Sequence, residues 1–106
     1  MEKTSGCMEI KKEENGDSVR FTIKGYIDSI NAEGLQNMLN DVLESKKYNI
    51  VIDMSNVVYL CSTGIRAILQ AYKISRDLGG KVGIERPSEI VKRVLDVTSL
   101  SDMLIL

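Results

Sequence analysis

The sequence contains no histidine. That absence removes Ser-His-Asp and Cys-His nucleophiles, histidine general bases and every histidine-containing zinc site. Its two cysteines, Cys7 and Cys61, are too few and too far apart for a zinc cluster or a disulfide framework. No stretch matches G-x-x-x-x-G-K-[ST], and the glycines do not fall into G-x-G-x-x-G. Gly79-Gly80-Lys81 follows a helical pattern and precedes a strand, so it reads as a turn rather than a phosphate loop. A self-contained enzyme is not expected, nor is a metal or cofactor.

Charge of one sign is also missing: 14 Lys and Arg against 15 Asp and Glu leave a net charge of −1. Such a chain lacks the positive field that nucleic-acid binding draws on. Its longest apolar run, Val57-Val58-Tyr59-Leu60-Cys61, is far short of the ~20 residues that span a bilayer. Met1-Glu2-Lys3-Thr4-Ser5-Gly6 has no apolar stretch of the signal-peptide kind. The expectation is a cytoplasmic protein with no direct nucleic-acid partner and no membrane partner.

What is present suits one compact domain. The chain has 106 residues, of which 43% are hydrophobic and 27% charged, too apolar and too balanced for a disordered tail. Residues 1–7 read as a mobile N-terminal arm and 8–106 as the domain. Met8 and Ile10 alternate with Glu9 and Lys11, a half-buried strand. Asn15-Gly16 is a strong hairpin signal, and Val19, Phe21 and Ile23 give the second strand one oily face.

Gly25 then breaks the strand, and Asp28-Ser29-Ile30-Asn31 offers candidate N-caps. Leu35, Met38, Leu39, Val42 and Leu43 recur at helical spacing, which predicts a helix over 31–45. Ile50-Val51-Ile52 reads as a short central strand, apolar on both faces and closed by Asp53. The Val57–60 run is expected beneath a loop. Gly64 opens a second helix that stops at Gly79-Gly80, a strand covers 81–84, and Pro87-Ser88 starts a third helix. The apolar tail, 100–106, docks back as a short helix or strand. Strand-helix-strand units after a hairpin make a mixed, mostly parallel sheet with helices on one face.

In such sheets, sites lie at the carboxyl ends of parallel strands. Asp28 and Asp53 are expected to point from two such ends toward the loop Cys61-Ser62-Thr63-Gly64. A hydroxyl at this loop-to-helix junction would cap free N–H groups at the positive end of the helix dipole. It could also carry a phosphate there. Two carboxylates near a hydroxyl fit turn and cap residues better than acid–base or Mg²⁺ chemistry. Cys61 reads either as a small buried hydrophobe or as a thiol activated at a helix start.

The stretch Val51-Ile52-Asp53-Met54-Ser55-Asn56-Val57-Val58-Tyr59-Leu60-Cys61-Ser62-Thr63-Gly64-Ile65 resembles the signature of STAS domains, specifically bacterial anti-sigma factor antagonists. In that family a strand ends in Asp-Leu-Ser, an apolar run follows, and Asp-Ser-Ser/Thr-Gly-Leu leads into a helix. Lys24-Gly25-Tyr26-Ile27-Asp28-Ser29-Ile30-Asn31-Ala32 is similar to its other recurrent segment. The resemblance implies an α/β, STAS-like single domain with a mixed, mostly parallel sheet of four to five strands.

It also implies a switch rather than a catalyst. Such a domain binds an anti-sigma factor, a serine kinase of the GHKL ATPase type, and so frees a sigma factor. The kinase phosphorylates the hydroxyl after the motif's Asp, and a PPM-type phosphatase reverses this. Carried over, the acceptor is Ser62, with Thr63 beside it. Asp28 and Asp53 match acidic residues bordering the site, and Cys61, Gly64 and Arg66 complete the expected partner surface. One departure stands out: the family's Asp before the acceptor is Cys61 here. Alternatives are a stand-alone STAS scaffold or ligand sensor without Ser62 phosphorylation, and a Cys61 redox module.

Overall fold

A computed structural model describes residues 7–106. Most of the expected arm, residues 1–6, lies outside the described residues. Cys7 is tied to the sheet, its carbonyl accepting a bond from the Tyr26 N–H at 2.8 Å.

The domain is one four-stranded sheet in chain order, β1-β2-β3-β4, crossed by helices. Strands β1 (Met8–Asn15) and β2 (Ser18–Ile27) form the antiparallel hairpin. Its two-residue loop is Gly16-Asp17, and Gly16 takes the left-handed φ of +66° that a first-position turn glycine supplies. Helix α1 (Ala32–Glu44) leads to β3 (Asn49–Leu60), and α2 (Ser62–Asp77) leads to β4 (Lys81–Glu85). Both crossovers give parallel pairs. Helix α3 (Glu89–Val97) is capped by Ser88, and the short α4 (Ser101–Leu104) follows. The tail is both things expected of it, a turn of helix and then a parallel bridge from Ile105 to Ile84.

The helices cover the sheet face that carries Val19, Phe21, Ile23, Ile50, Ile52, Val82 and Ile84. Leu35, Leu39, Ile65, Ile68, Val91, Leu95 and Leu104 close one continuous core over it. Each crossover steps one place in the same direction, and right-handed connections then put successive helices on the same side. The alternation in β2 leaves Arg20, Thr22 and Lys24 on the other face.

Two expectations about strands need correction. Gly25 does not end β2 but lies within it at φ +99°, where a Cβ would meet the Cys7 carbonyl oxygen at 2.2 Å. The central strand does not stop at Asp53, and Val57–60 does not lie beneath a loop: β3 continues to Leu60. Its pairing with β2 absorbs an extra residue twice. Thr22 faces Asp53 while Lys24 faces Asn56, and Gly25 faces Val57 while Tyr26 faces Tyr59. Such bulges break the two-residue alternation, so the polar Ser55-Asn56 pair mimics a loop in sequence.

Candidate functional site

The ends of β2 and β3 lie side by side, with Tyr26 opposite Tyr59 and Ile27 opposite Leu60. The Cys61 N–H donates to the Ile27 carbonyl at 2.9 Å, which extends the pairing to the start of α2. Asp28, directly after β2, therefore shares one sheet edge with Cys61, Ser62, Thr63 and Gly64. Its carboxylate faces its own backbone, with Oδ1 accepting from the N–H groups of Ile30 and Asn31 at 2.9 and 3.0 Å. Asn31 replies by accepting from the Asp28 N–H and donating to the Tyr26 carbonyl. This reciprocal turn fixes the β2–α1 corner. The second oxygen, Asp28 Oδ2, is buried with no hydrogen-bond partner among the described residues.

Helix α2 begins earlier than its glycine suggests, at Ser62, and its cap is not a hydroxyl. Cys61 is the N-cap residue, in extended conformation, and its Sγ accepts from the Gly64 N–H at 3.4 Å. An aspartate at this position would be a preferred N-cap by residue type, so the thiol takes over a task that a carboxylate performs well. Ser62 and Thr63 are both exposed. Ser62 Oγ has no hydrogen-bond partner among the described residues, so the hydroxyl is free of the capping role expected for it. Gly64 is buried, and a Cβ there would come within 2.6 Å of Ile27 Cγ2 and 3.1 Å of Leu60 Cδ1. Its glycine identity lets the helix start press onto the two strand ends. Arg66 lies exposed one turn into the helix.

Asp53 is elsewhere. It is 3% exposed and pairs with Thr22 on one side and with Glu85, the last residue of β4, on the other. The rest of β3 separates it from Ser62, because only β4 ends at its level. Asp53 does not border the Ser62 loop, which corrects the expectation from the sequence.

Its carboxylate accepts from Arg20 Nη2 at 3.2 Å, from Arg86, and from the Ser55 N–H and hydroxyl at 2.9 and 2.8 Å. Burial alone would raise its pKa; the Arg86 guanidinium and the two bonds from Ser55 outweigh this and hold it at about 2. Nearby, the Ser88 N–H donates to the Met54 carbonyl and its hydroxyl to the Val57 carbonyl, so the β4–α3 turn braces the bulged part of β3.

Four site residues escaped the sequence reading. Tyr26, Ile30, Val58 and Tyr59 are exposed, Ile30 to 70%, around the same sheet edge as Ser62. The two tyrosine rings lie 6.3 Å apart, tilted by 39°. The usable signal was the apolar run 57–60, which is too rich for a surface segment unless part of it serves as a contact face. Among the described residues no group of three or more acidic, cysteine or histidine side chains could hold a metal ion. No helix is long and apolar enough to cross a membrane.

Comparison with known proteins adds to this geometry. The family model of the STAS domain matches residues 9–106. The chain is 29% identical to the anti-sigma-B factor antagonist of Bacillus subtilis (strain 168) over 97 residues, which is 92% of this chain and 86% of that protein. A crystal structure from Thermotoga maritima superposes with a TM-score of 0.84 at 23% identity, covering 91% of this chain and 83% of that one. The anti-sigma factor antagonist SpoIIAA in its unphosphorylated form gives 0.83 at 15% identity, covering 92% and 86%. The phosphorylated form of SpoIIAA from Bacillus gives 0.76 at 14% identity, covering 92% and 89%.

Proposed function

Because this chain belongs to the STAS domain family, we propose that it acts as an anti-sigma factor antagonist switched by phosphorylation of Ser62. Anti-sigma factor antagonists are regulatory binding proteins rather than enzymes, and relatives across most of the chain bear that description. The partner in this reading is an anti-sigma factor that is also a serine kinase of the GHKL ATPase type, whose capture frees a sigma factor. A PPM-type phosphatase resets the serine, and the cycle runs in the cytoplasm.

The observation that carries the reading is an exposed serine hydroxyl, without a hydrogen-bond partner among the described residues, at the first position of a 16-residue helix, at the sheet edge that also carries exposed Tyr26, Ile30, Val58 and Tyr59. The apolar side chains offer a partner area to bury, and the serine offers that area a charge. A phosphate adds about −1.5 to −2 charges at neutral pH. Within the domain, the free N–H groups and the dipole of α2 offset its repulsion from Asp28. In a complex nothing guarantees such compensation. A like charge about 5 Å away costs about 3 kcal/mol at an effective dielectric near 20, before desolvation is added. Asp28, Cys61, Thr63, Gly64 and Arg66 frame this surface in the reading, and Asp53 does not.

The experiment incubates the protein with a candidate GHKL-type kinase and ATP, maps the modified residue by mass spectrometry and measures binding before and after. Phosphate on Ser62 and a loss of affinity are expected. A cognate kinase that leaves Ser62 unmodified, or a phosphorylated form that binds unchanged, overturns the switch. The chain would then be a STAS scaffold or ligand sensor.

A further inference from the structure

Position 66 gives α2 a charge one turn beyond its start. Ser62 and Arg66 are four residues apart on one helix, so their side chains are surface neighbours. Both are exposed. The first turn of α2 carries no acidic residue, and among the described residues no carboxylate lies within ion-pair distance of Arg66. Among the described residues, its guanidinium therefore has no counter-charge in the unmodified domain. We infer that Arg66 is the counter-ion, within the same chain, of a phosphate on Ser62. The inference rests on the reading of Ser62 as the phosphoacceptor and adds how the domain tolerates the charge.

Geometry favours this pairing. A planar guanidinium can present two N–H donors to phosphate oxygens. The free N–H groups at the start of α2 are a second set of donors for the same oxygens. The charged neighbours are few. Asp28 closes β2 at this edge, and its Oδ1 is engaged by two backbone N–H groups. From α1 the nearest acid by position is Glu33. Gln36 and Gln70 hydrogen-bond across the α1–α2 seam at 2.6 Å, and Glu33 and Arg66 each lie about one turn before that contact. On β3 the neighbouring ionisable group is Tyr59, the Cys61 thiol follows at the cap of α2, and β4 ends at the level of Asp53, short of this edge. Glu33 is the competitor for Arg66, and it sits on a different helix rather than on the row that carries Ser62.

A test needs neither kinase nor partner. Phosphoserine is placed at position 62 during translation, and its second ionisation is followed by phosphorus NMR across pH 4–8. In the parent it should fall below the usual value of about 6. Arg66→Gln should raise it by about 0.3 unit or more, the size expected when an exposed helical ion pair is lost. Arg76→Gln, in the last turn of the same helix and already stacked over Tyr72 at 5.6 Å, should leave it unchanged. Equal shifts from both variants, or none from Arg66→Gln, overturn the inference. A titration that Arg66→Gln moves only in a Glu33→Gln background assigns Arg66 to Glu33 and overturns it too. Because the phosphate is installed directly, failure of a kinase to modify Ser62 sinks the switch without touching this result.

Discussion

Two points along β3, its middle and its far end, solve opposite problems. At Asp53 a buried carboxylate is engaged by two arginines and by a serine's N–H and hydroxyl, between neighbouring strands. At Leu60 the strand runs out into an exposed serine, a thiol cap and a pair of open tyrosines. The carboxylate with the strongly displaced pKa is tied into the middle of the sheet, and the exposed side chains gather where the strand runs out. Perturbed ionisation marks functional sites only in probability, since structural ion-pair networks perturb it as well.

The sharpest way to test this contrast is to perturb each point in turn. Phosphoserine at position 62 should weaken capture of the anti-sigma partner a hundredfold or more, equivalent to about 3 kcal/mol, while thermal unfolding barely moves. Titration calorimetry beside a melting curve reads both. An effect on folding of comparable size would erase the distinction between the two points.

Asp53→Asn should behave in reverse, costing about 2 kcal/mol of stability and leaving partner affinity within a few-fold. The pH dependence follows from the same group. Its folded pKa, about 2, lies below its ordinary 3.8, so its contribution is complete above about pH 4. That contribution fades as acid is added toward pH 2. Denaturant midpoints between pH 7 and 2 should show a steeper acid loss in the parent than in Asp53→Asn.

Tyr59→Ala tests the apolar part of the exposed end. Truncation should lower partner affinity about tenfold, as for an aromatic anchor in a contact face, and change the melting temperature little because the ring is half exposed. Smallest of all, Cys61→Ala should cost about 0.5–1 kcal/mol as a weakened cap, and Cys61→Asp should restore or exceed the parent's stability. A partner affinity that responds to mild oxidant in the parent but not in Cys61→Ala would instead favour a redox role.

The sequence made the hairpin, both long helices, β4 and α3 legible, because each carries a clean period of two or of 3.6 residues. The far half of β3 was not legible, since two extra residues scramble its alternation and Ser55-Asn56 imitates a turn. The Asp53 network was hidden for a different reason. Arg20 and Arg86 each lie 33 residues from Asp53, and only the parallel register brings them together. Ser62 stood out through its motif, whereas Tyr26 and Tyr59 became visible as a pair only when their strands were laid side by side.

One consequence of the strand pairing concerns motion. Strand β4 accompanies β3 only from Asn49 to Asp53, and beyond that point β2 is its sole strand neighbour. Half of β3 is thus an overhang, held by a strand on one side only and steadied near Asp53 by Ser88. Openings confined to that overhang break fewer contacts than global unfolding does, so amide hydrogens of residues 57–60 should exchange with solvent sooner than those of 50–52. A surface carried on such an overhang can adjust to an incoming protein without disturbing the anchored half.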